Sequence, residues 1–321
     1  MSEGAPTVSV VVATRNRAER LGDLLESLRD QTLPAGSFEV VVVDDASTDH
    51  TSEVVERERL LGVLRLRSLR RSERAGPATA RNQGWRAAQA PLVAFTDDDC
   101  VPAPDWLSAG QSAAARDPEA FVQGRTDPMA AELRHLGPFA RTLEIHDLGP
   151  HYETCNVLYP RWMLEELGGF EESFPDPGGE DADLGWRAIG AGYTAVFAEE
   201  AQVFHAVNEL GPLGKLRVAA RWTGAMQAYA RHSPLRRASL TYGVFWKGSH
   251  YLLVRALLGL LLQRRTPLLA AWLWRPYLLH LRDRGRVEGG GMPLAPYYLL
   301  HDLVELVAVL RGAVRYRVPI L

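Results

Sequence analysis

The sequence predicts an α/β fold, a Rossmann-like and mostly parallel sheet flanked by helices, with an α-helical C-terminal extension. Short apolar, β-branched runs alternate with amphipathic segments over residues 8–99, which is typical of a parallel sheet wound with helices. From Gly211 onward the pattern becomes helical and basic. A chain of 321 residues with 46% hydrophobic residues can bury a large core and an appendage. We therefore predict two domains, residues 1–208 and 209–321.

The strands of the first domain are predicted from apolar runs. Val8–Ala13 is β-branched and nearly continuous, and the leucines of Ala18–Gln31 then recur at helical spacing. Phe38–Val43 predicts a second buried strand, whereas Val63–Leu69, which alternates with arginines, predicts a weaker strand at a sheet edge. A fourth run, Leu92–Thr96, leads directly into three aspartates. Phe121–Gly124 and Ala195–Ala198 are predicted as short strands, and residues 125–153 are predicted as a mobile or substrate-facing loop.

Carboxylates follow two of these strands. Asp44 and Asp45 end the second strand, and Asp97-Asp98-Asp99 follow the fourth. Right-handed crossovers bring the carboxyl ends of parallel strands to one edge, where open α/β sheets bind ligands. A divalent cation would relieve the repulsion between adjacent carboxylates, although a solvated acidic turn is the alternative for the triplet alone. The first strand is followed by neither a G-x-G-x-x-G pattern nor a P-loop.

A second acidic motif follows a loop rich in proline and glycine. The loop is predicted at Pro175–Gly179, and Glu180 and Asp181 begin the helix after it. Acidic residues in a first turn are favoured by the helix dipole. The functional alternative is a general base held at the start of the helix.

Charge is distributed unequally along the chain. Residues 1–210 contain 19 arginines and 35 acidic residues, whereas residues 211–321 contain 17 basic and 4 acidic residues. The basic part could face a phosphate-bearing partner, an anionic membrane or nucleic acid, or it could pair with the acidic part. Nucleic acid is not expected as a partner, because the basic part carries no recognisable nucleic-acid-binding module.

The C-terminal helices combine apolar, aromatic and basic residues. Tyr242–Leu262 and Pro267–Leu281 are interrupted by charged residues, so no transmembrane helix is predicted. Such helices suit a peripheral membrane contact, and packing on the catalytic domain or in a homodimer is the alternative. Two cysteines without metal-ligand spacing, and a first apolar run too short for a signal peptide, predict a cytoplasmic location, with membrane contact at the inner face.

Ordered motifs in the first domain resemble family 2 glycosyltransferases of the GT-A fold. They are Val8–Arg17, Val40–Asp49, Gly76–Trp85, Phe95–Leu107, Gly168–Phe174 and Gly179–Trp186. The resemblance covers roughly residues 7–206 and implies an inverting transfer from a nucleotide-sugar donor, with UDP favoured. The implied acceptor is a hydroxyl of a carbohydrate, a lipid-linked molecule or a small molecule.

The resemblance also implies a set of site residues. Asp99 and His205 would hold a divalent metal, Mn²⁺ or Mg²⁺, and Asp97 of the Asp97-x-Asp99 motif would lie at the ribose or the metal. Asp181 would deprotonate the acceptor hydroxyl, and Glu180 would place the acceptor. The remaining implied positions are a nucleotide-binding group, Ala13, Arg15, Asp45, Arg81 and Asp98, and a donor- or acceptor-binding pair, Asn156 and Gly179.

Two other functions are compatible with parts of this pattern. A nucleotidyltransferase that makes a sugar nucleotide would need a glycine-rich basic loop after the first strand, and the loop Thr14–Arg17 contains no glycine. A catalytically silent scaffold would act through its basic C-terminal helices, but Asp97, Asp99 and Asp181 are all present. A metal-dependent glycosyltransferase is therefore the predicted function.

Overall fold

A computed structural model of the chain describes residues 4–174 and 178–321. The predicted loop residues Pro175–Pro177 lie outside the described residues. The chain divides into two compact units: one comprises the residues up to Leu133 together with Thr142–Val207, and the other comprises Arg134–Arg141 together with Asn208–Leu321.

The regular elements follow the predicted alternation of strand and helix. In chain order the strands are β1 (Val8–Thr14), β2 (Phe38–Asp44), β3 (Leu66–Arg70), β4 (Leu92–Asp97), β5 (Cys100–Pro102), β6 (Ala120–Pro128), β7 (Ala140–Arg141), β8 (Asn156–Pro160), β9 (Thr194–His205) and β10 (Asn208–Glu209). The helices are α1 (Ala18–Arg29), α2 (Thr51–Leu61), α3 (Pro77–Ala87), α4 (Trp106–Arg116), α5 (Arg161–Leu167), α6 (Glu180–Gly190), α7 (Gly211–Ala220), α8 (Trp222–Arg231), α9 (Ser233–Ser239), α10 (Gly248–Leu262), α11 (Pro267–Val287) and α12 (Ala295–Tyr316).

The first unit is built on an eight-stranded sheet with the order β3-β2-β1-β4-β8-β6-β9-β5. The four strands from β3 to β4 are parallel to one another, and β6 is parallel to β9. The strands β8 and β5 pair antiparallel to their neighbours. The predicted α/β class with a mostly parallel sheet is confirmed, and β3 lies at the sheet edge as predicted.

Helices cover both faces of this sheet, which explains the continuous apolar runs of its central strands. Val10 and Val12 pack on one face with the leucines of α1, whereas Val11 packs on the other face with α3. Close contact with α3 requires a small residue, because a Cβ on Gly84 would lie 2.4 Å from Val11 Cγ1. Side chains alternate between the faces of a strand, so a strand buried on both faces needs apolar residues at successive positions.

Two strands extend beyond their predicted limits. The predicted strand Phe121–Gly124 is part of β6, which continues to Pro128, and the predicted strand Ala195–Ala198 is part of β9. β9 is twelve residues long and ends at His205. His205 is therefore fixed within the sheet, whereas the sequence pattern placed it in the segment after a short strand.

The second unit is helical, with one small antiparallel pair formed by β7 and β10. Its core includes Leu253, Tyr277, Leu281, Tyr298 and Leu306 from α10, α11 and α12. The predicted helical C-terminal region is confirmed.

Within the part of the chain that the structure describes, one helix is long and apolar enough to cross a membrane by length and composition, Met292–Tyr316. Its most apolar window is 39% buried inside the protein. It also contains Asp302 and Glu305, which are paired with Arg284 and Lys247 of the same unit. Buried and charge-paired residues of this kind are expected in the core helix of a folded unit.

Candidate active site

The acidic strand ends meet at one edge of the sheet, as predicted. The strand β1 lies between β2 and β4, with Thr14 paired to Asp44 and Ala13 paired to Asp97. Asp97 is the last residue of β4, and Asp98 and Asp99 form the tight turn that leads into β5. The sheet therefore places the aspartate triplet directly beside the end of β1.

His205 reaches Asp99 through the pairing of β5 with β9. Cys100 is paired with His205 in this ladder, and the amide of Ala206 donates to the carbonyl oxygen of Asp99 over 2.9 Å. The side chains then face each other, with His205 Nε2 lying 3.7 Å from Asp99 Oδ1. Both side chains are nearly buried.

The Asp99 and His205 side chains together could hold a divalent cation. His205 Nδ1 lies 2.8 Å from the carbonyl oxygen of Ala206. A carbonyl can only accept, so Nδ1 donates to it and Nε2 is the ring nitrogen on the side of Asp99. A backbone carbonyl that fixes the imidazole in this way is the usual support of a metal-binding histidine. The 3.7 Å separation suits two ligands that each lie about 2.1 Å from one ion.

Cys100 lies beside the same two residues, because its sulfur is within 4.8 Å of a carboxylate oxygen of Asp99 and of a ring nitrogen of His205. Burial raises the pKa of the Cys100 thiol well above its usual range. Cys100 is fully buried and packs in the core of the first unit, next to the candidate metal site.

Arg17, which follows β1, is an unpredicted member of the site. Its guanidinium contacts Asp99 Oδ2 and lies 3.4 Å from Asp98 Oδ1. Asp98 also accepts a hydrogen bond of 2.8 Å from Thr14 Oγ1, and burial raises the pKa of Asp98 to about 7. The side chain of Asp98 is thus held by the loop after β1, and a positive charge already partly neutralises the triplet.

Arg81 joins the two acidic motifs. From α3 its guanidinium donates to Asp97 Oδ1 over 2.8 Å and to Glu180 Oε1 over 3.1 Å. Burial opposes its charge, but the carboxylates of Asp97 and Glu180 raise the pKa of Arg81 above its usual value. The side chain is nearly buried, so Arg81 positions the end of β4 relative to the start of α6.

Asp181 lies in the first turn of α6, next to Glu180, which is bound to Arg81. The helix begins at Glu180, directly after Gly179, whose φ of 107° favours glycine. Glu180 Oε2 accepts from the amide of Gly178 over 2.7 Å, whereas Asp181 is only half-buried. Burial and the neighbouring charge of Glu180 raise the pKa of Asp181 to about 8. A carboxyl group with a pKa near neutrality is suited to proton transfer.

Three of the residues expected at the nucleotide lie at or after the ends of β1 and β2. Ala13 is half-buried at the end of β1, and Arg15 is exposed just beyond it. Asp45 is buried, and its two oxygens each accept a backbone amide, from Ala75 and from Gly76, over 2.9 Å. Asp45 therefore fixes the turn that begins α3, whatever further contact it makes.

Asn156 corrects one prediction, because its side chain does not face a donor site. It is fully buried, and its Nδ2 donates to the carbonyl oxygens of Arg125 and Ala201. Its Oδ1 accepts from Trp106 Nε1 over 2.8 Å. All the hydrogen-bonding groups of the side-chain amide are therefore used in packing β8 against β6, β9 and α4.

The fold is that of the GT-A class, and comparisons with solved structures agree. A mannosyltransferase from Pyrobaculum calidifontis, PcManGT, aligns with 96% of this chain and 87% of its own, with a TM-score of 0.62 and 23% identity. Residues 1–349 of Staphylococcus aureus TarS align with 96% of this chain, and this chain covers 91% of that fragment, with a TM-score of 0.55 and 20% identity. At 23% and 20% identity these structures show that the chains share a fold and nothing more specific.

Sequence comparisons support a family for this chain. Residues 9–160 match the model described as glycosyl transferase family 2. Glycosyltransferase AglE of Haloferax volcanii is 29% identical in an alignment that covers 67% of this chain and 72% of AglE. Validoxylamine A glucosyltransferase of Streptomyces hygroscopicus is 30% identical in an alignment that covers 64% of this chain and 56% of that enzyme. These matches and the fold support family 2 of the glycosyltransferases, with a GT-A fold, for this chain.

Proposed function

We propose that this protein transfers a sugar from a nucleotide-sugar donor, with UDP favoured, to an acceptor hydroxyl with inversion at the anomeric carbon. The main support is the network around Arg81, which ties the end of β4 to the start of α6 through Asp97 and Glu180. Asp99 of the candidate metal-binding pair lies two residues after Asp97, and Asp181, whose pKa is raised, directly follows Glu180. The Arg81 network therefore joins the two segments that carry these groups. We assign catalysis to the first domain, residues 1–208.

The donor and the metal are proposed from the acidic edge. The structure of PcManGT was determined with GDP-Man and Mn²⁺, and TarS structures contain UDP or UDP-GlcNAc. In this chain Asp99 and His205 would hold Mn²⁺ or Mg²⁺, and the bound ion supplies positive charge that stabilises the diphosphate leaving group. Ala13, Arg15 and Asp45 would lie around the nucleobase at the ends of β1 and β2.

The arginines have separate proposed tasks. Arg81 was expected to face the donor phosphates, but its charge is already matched by two carboxylates, so we assign it a positioning role. The side chain of Arg17 is partly exposed and forms ion pairs with Asp98 and Asp99. Its guanidinium is therefore a better candidate than that of Arg81 for contact with the diphosphate. Asp98 then serves to hold Arg17 and the turn, and Asp97 faces the ribose or the metal.

Asp181 is the proposed general base. It takes the proton of the acceptor hydroxyl as that oxygen forms a bond to the anomeric carbon, while the bond from that carbon to the diphosphate oxygen breaks. Glu180 and Gly179 fix the start of α6 and would contact the acceptor. The curated relatives are named for very different acceptors, among them validoxylamine A and poly(ribitol-phosphate), so the proposal specifies only a hydroxyl-bearing acceptor.

The experiment that tests this function measures nucleoside diphosphate release from UDP-, GDP- and dTDP-sugars, with and without Mn²⁺. We expect release from one donor class that requires the metal and is lost in Asp99→Asn, while Asp30→Asn, an exposed aspartate outside the site, serves as the matched control. Release of pyrophosphate from a nucleoside triphosphate and a sugar phosphate would instead support a nucleotidyltransferase. No turnover of any donor would support a scaffold.

A further inference from the structure

The second unit carries a group of exposed apolar side chains in a segment that contains no aspartate or glutamate. We define the hairpin tip as residues 257–272, which comprise the end of α10, the connection to α11 and the first turns of α11. Leu261 is 79% exposed, Leu268 is 87% exposed and Trp272 is 63% exposed. Other exposed apolar side chains of the tip are Leu257, Leu258, Leu260, Leu262 and Leu269. Contiguous apolar surface of this kind marks an interaction site more often than a free face.

The helices expose these leucines because only one side of the hairpin is covered. Leu253 of α10 is buried against Tyr277 and Leu281 of α11. α10 is apolar on its other side as well, so its further leucines project away from that core. An amphipathic helix would place polar residues there. The composition of α10 therefore fits a helix with an apolar partner on both sides.

Charge indicates what that partner is. Residues 248–282 contain no aspartate or glutamate, whereas Arg264 and Arg265 lie exposed at the connection between the helices. The guanidinium of Arg255 lies 4.7 Å from the ring centre of Trp272. An arginine over an exposed tryptophan beside leucines matches the boundary between lipid headgroups and acyl chains. Arginines near such a surface are attracted to anionic lipids.

Two other arrangements fit less well. α10 has 15 residues and would span about 22 Å as a helix, which is less than the roughly 30 Å of a bilayer core. A second copy of the chain would bring the same arginines near each other with no carboxylate in the tip to balance them. We infer that the hairpin tip docks into the interface of an anionic bilayer without crossing it.

Sedimentation of the full chain with vesicles tests this inference without donor or metal, so its failure and a failure of the proposed function are distinguishable. We expect binding to phosphatidylglycerol–phosphatidylcholine vesicles that weakens with salt, and much weaker binding to pure phosphatidylcholine. Arg264→Gln with Arg265→Gln should weaken binding by about 5-fold per arginine. Leu261→Ser with Leu268→Ser should weaken it by roughly 10-fold or more.

The matched control is Leu60→Ser with Leu213→Ser, because these leucines are 78% and 67% exposed but lie outside the tip. The control should bind vesicles like the unchanged protein. Equal binding to neutral and anionic vesicles, no binding to either, or equal weakening in the control would overturn the inference. Self-association that is abolished by the Leu261 and Leu268 substitutions, without vesicle binding, would assign the tip to a second copy.

Discussion

At the scale of single residues, the protonation states of the acidic groups differ with their surroundings. Arg81 balances Asp97 and Glu180 through direct contacts, whereas Asp181 has no contact with Arg81 among the hydrogen bonds of the described chain. Burial and a neighbouring negative charge then raise the pKa of Asp181 to about 8. We therefore assign the proton-accepting role to Asp181, because a carboxylate whose pKa is raised toward neutrality is a stronger base than an ordinary carboxylate.

Replacing Asp181 tests this assignment. Asp181→Asn should lower kcat by roughly 100-fold to 10,000-fold, the usual contribution of a general base. The dissociation constant for the donor nucleotide should stay within about 2-fold, because nothing in the metal pair changes. Steady-state kinetics and calorimetry measure the two effects, and normal transfer by the variant would refute the base assignment.

The pH dependence gives an independent test. A base must be deprotonated to act, so a raised pKa means that kcat/KM increases as the pH rises through about 8. Glu180→Gln removes a negative charge beside Asp181 and should move this rise to lower pH. A pH–rate profile of both proteins checks the direction, and a rise that moves to higher pH in the variant would contradict the account.

Because the side chain of Asn156 packs strands and a helix together, we expect its replacement to lower the free energy of unfolding and to leave donor binding unchanged. Asn156→Ala leaves Trp106 Nε1 and two buried carbonyls without their partner, which should destabilise the protein by about 2–3 kcal/mol. Denaturant unfolding measures this loss. The donor dissociation constant should not change in the folded variant, and a selective loss of donor affinity with normal stability would restore the original prediction.

At the scale of elements, the site depends on where strands and helices end. β4 contributes Asp97, α3 contributes Arg81 and α6 begins with Glu180, so one guanidinium connects three elements. Arg81→Met should leave two carboxylates without their cation and destabilise the protein by about 3 kcal/mol. Arg86→Met is the matched control on the same helix, because Arg86 is exposed, and it should change stability by less than about 1 kcal/mol. Equal effects in thermal unfolding would contradict the bridging role of Arg81.

The pairing of β5 with β9 makes a second prediction at this scale. His205→Ala should lower the affinity for Mn²⁺ by about 10-fold or more, because it removes one of the two proposed ligands. Titration with Mn²⁺ alone, followed by electron paramagnetic resonance, measures the loss. The exposed His50→Ala is the control and should bind like the unchanged protein. Unchanged Mn²⁺ affinity in His205→Ala would exclude His205 as a ligand.

At the scale of the whole molecule, local patterns predicted the fold well and the site in part. Continuous apolar runs identified β1, β2 and β4, because each of these strands is buried on both faces and carries its own signal. Asp44 and Asp97 end two of these strands, and the carboxyl ends of parallel strands lie at the same edge of a sheet. The parallel arrangement was therefore enough to predict that the two residues lie at one edge.

Contacts that depend on distant pairing could not be predicted in this way. The partner of His205 is set by the register of β5 against β9, and Arg17 lies 82 positions before Asp99 in the chain. Asn156 resembled a site residue in sequence, yet its environment is set by Trp106, Arg125 and Ala201 from three separate segments. Arg17 could have been suspected only from its position, because it is a basic residue in the loop after the first strand, and parallel strands bring that loop to the same sheet edge as the aspartates after the fourth strand.

The most direct test of the central claim is calorimetric titration of the full chain with UDP, GDP and dTDP, each with and without Mn²⁺. The account predicts that one nucleotide, with UDP favoured, binds tightly only when Mn²⁺ is present. It also predicts that Asp99→Asn abolishes this metal dependence while Asp30→Asn, at an exposed position outside the site, preserves it. Binding that is equal with and without Mn²⁺, or no binding of any of the three, would contradict the assignment of the acidic edge as a metal-dependent nucleotide site.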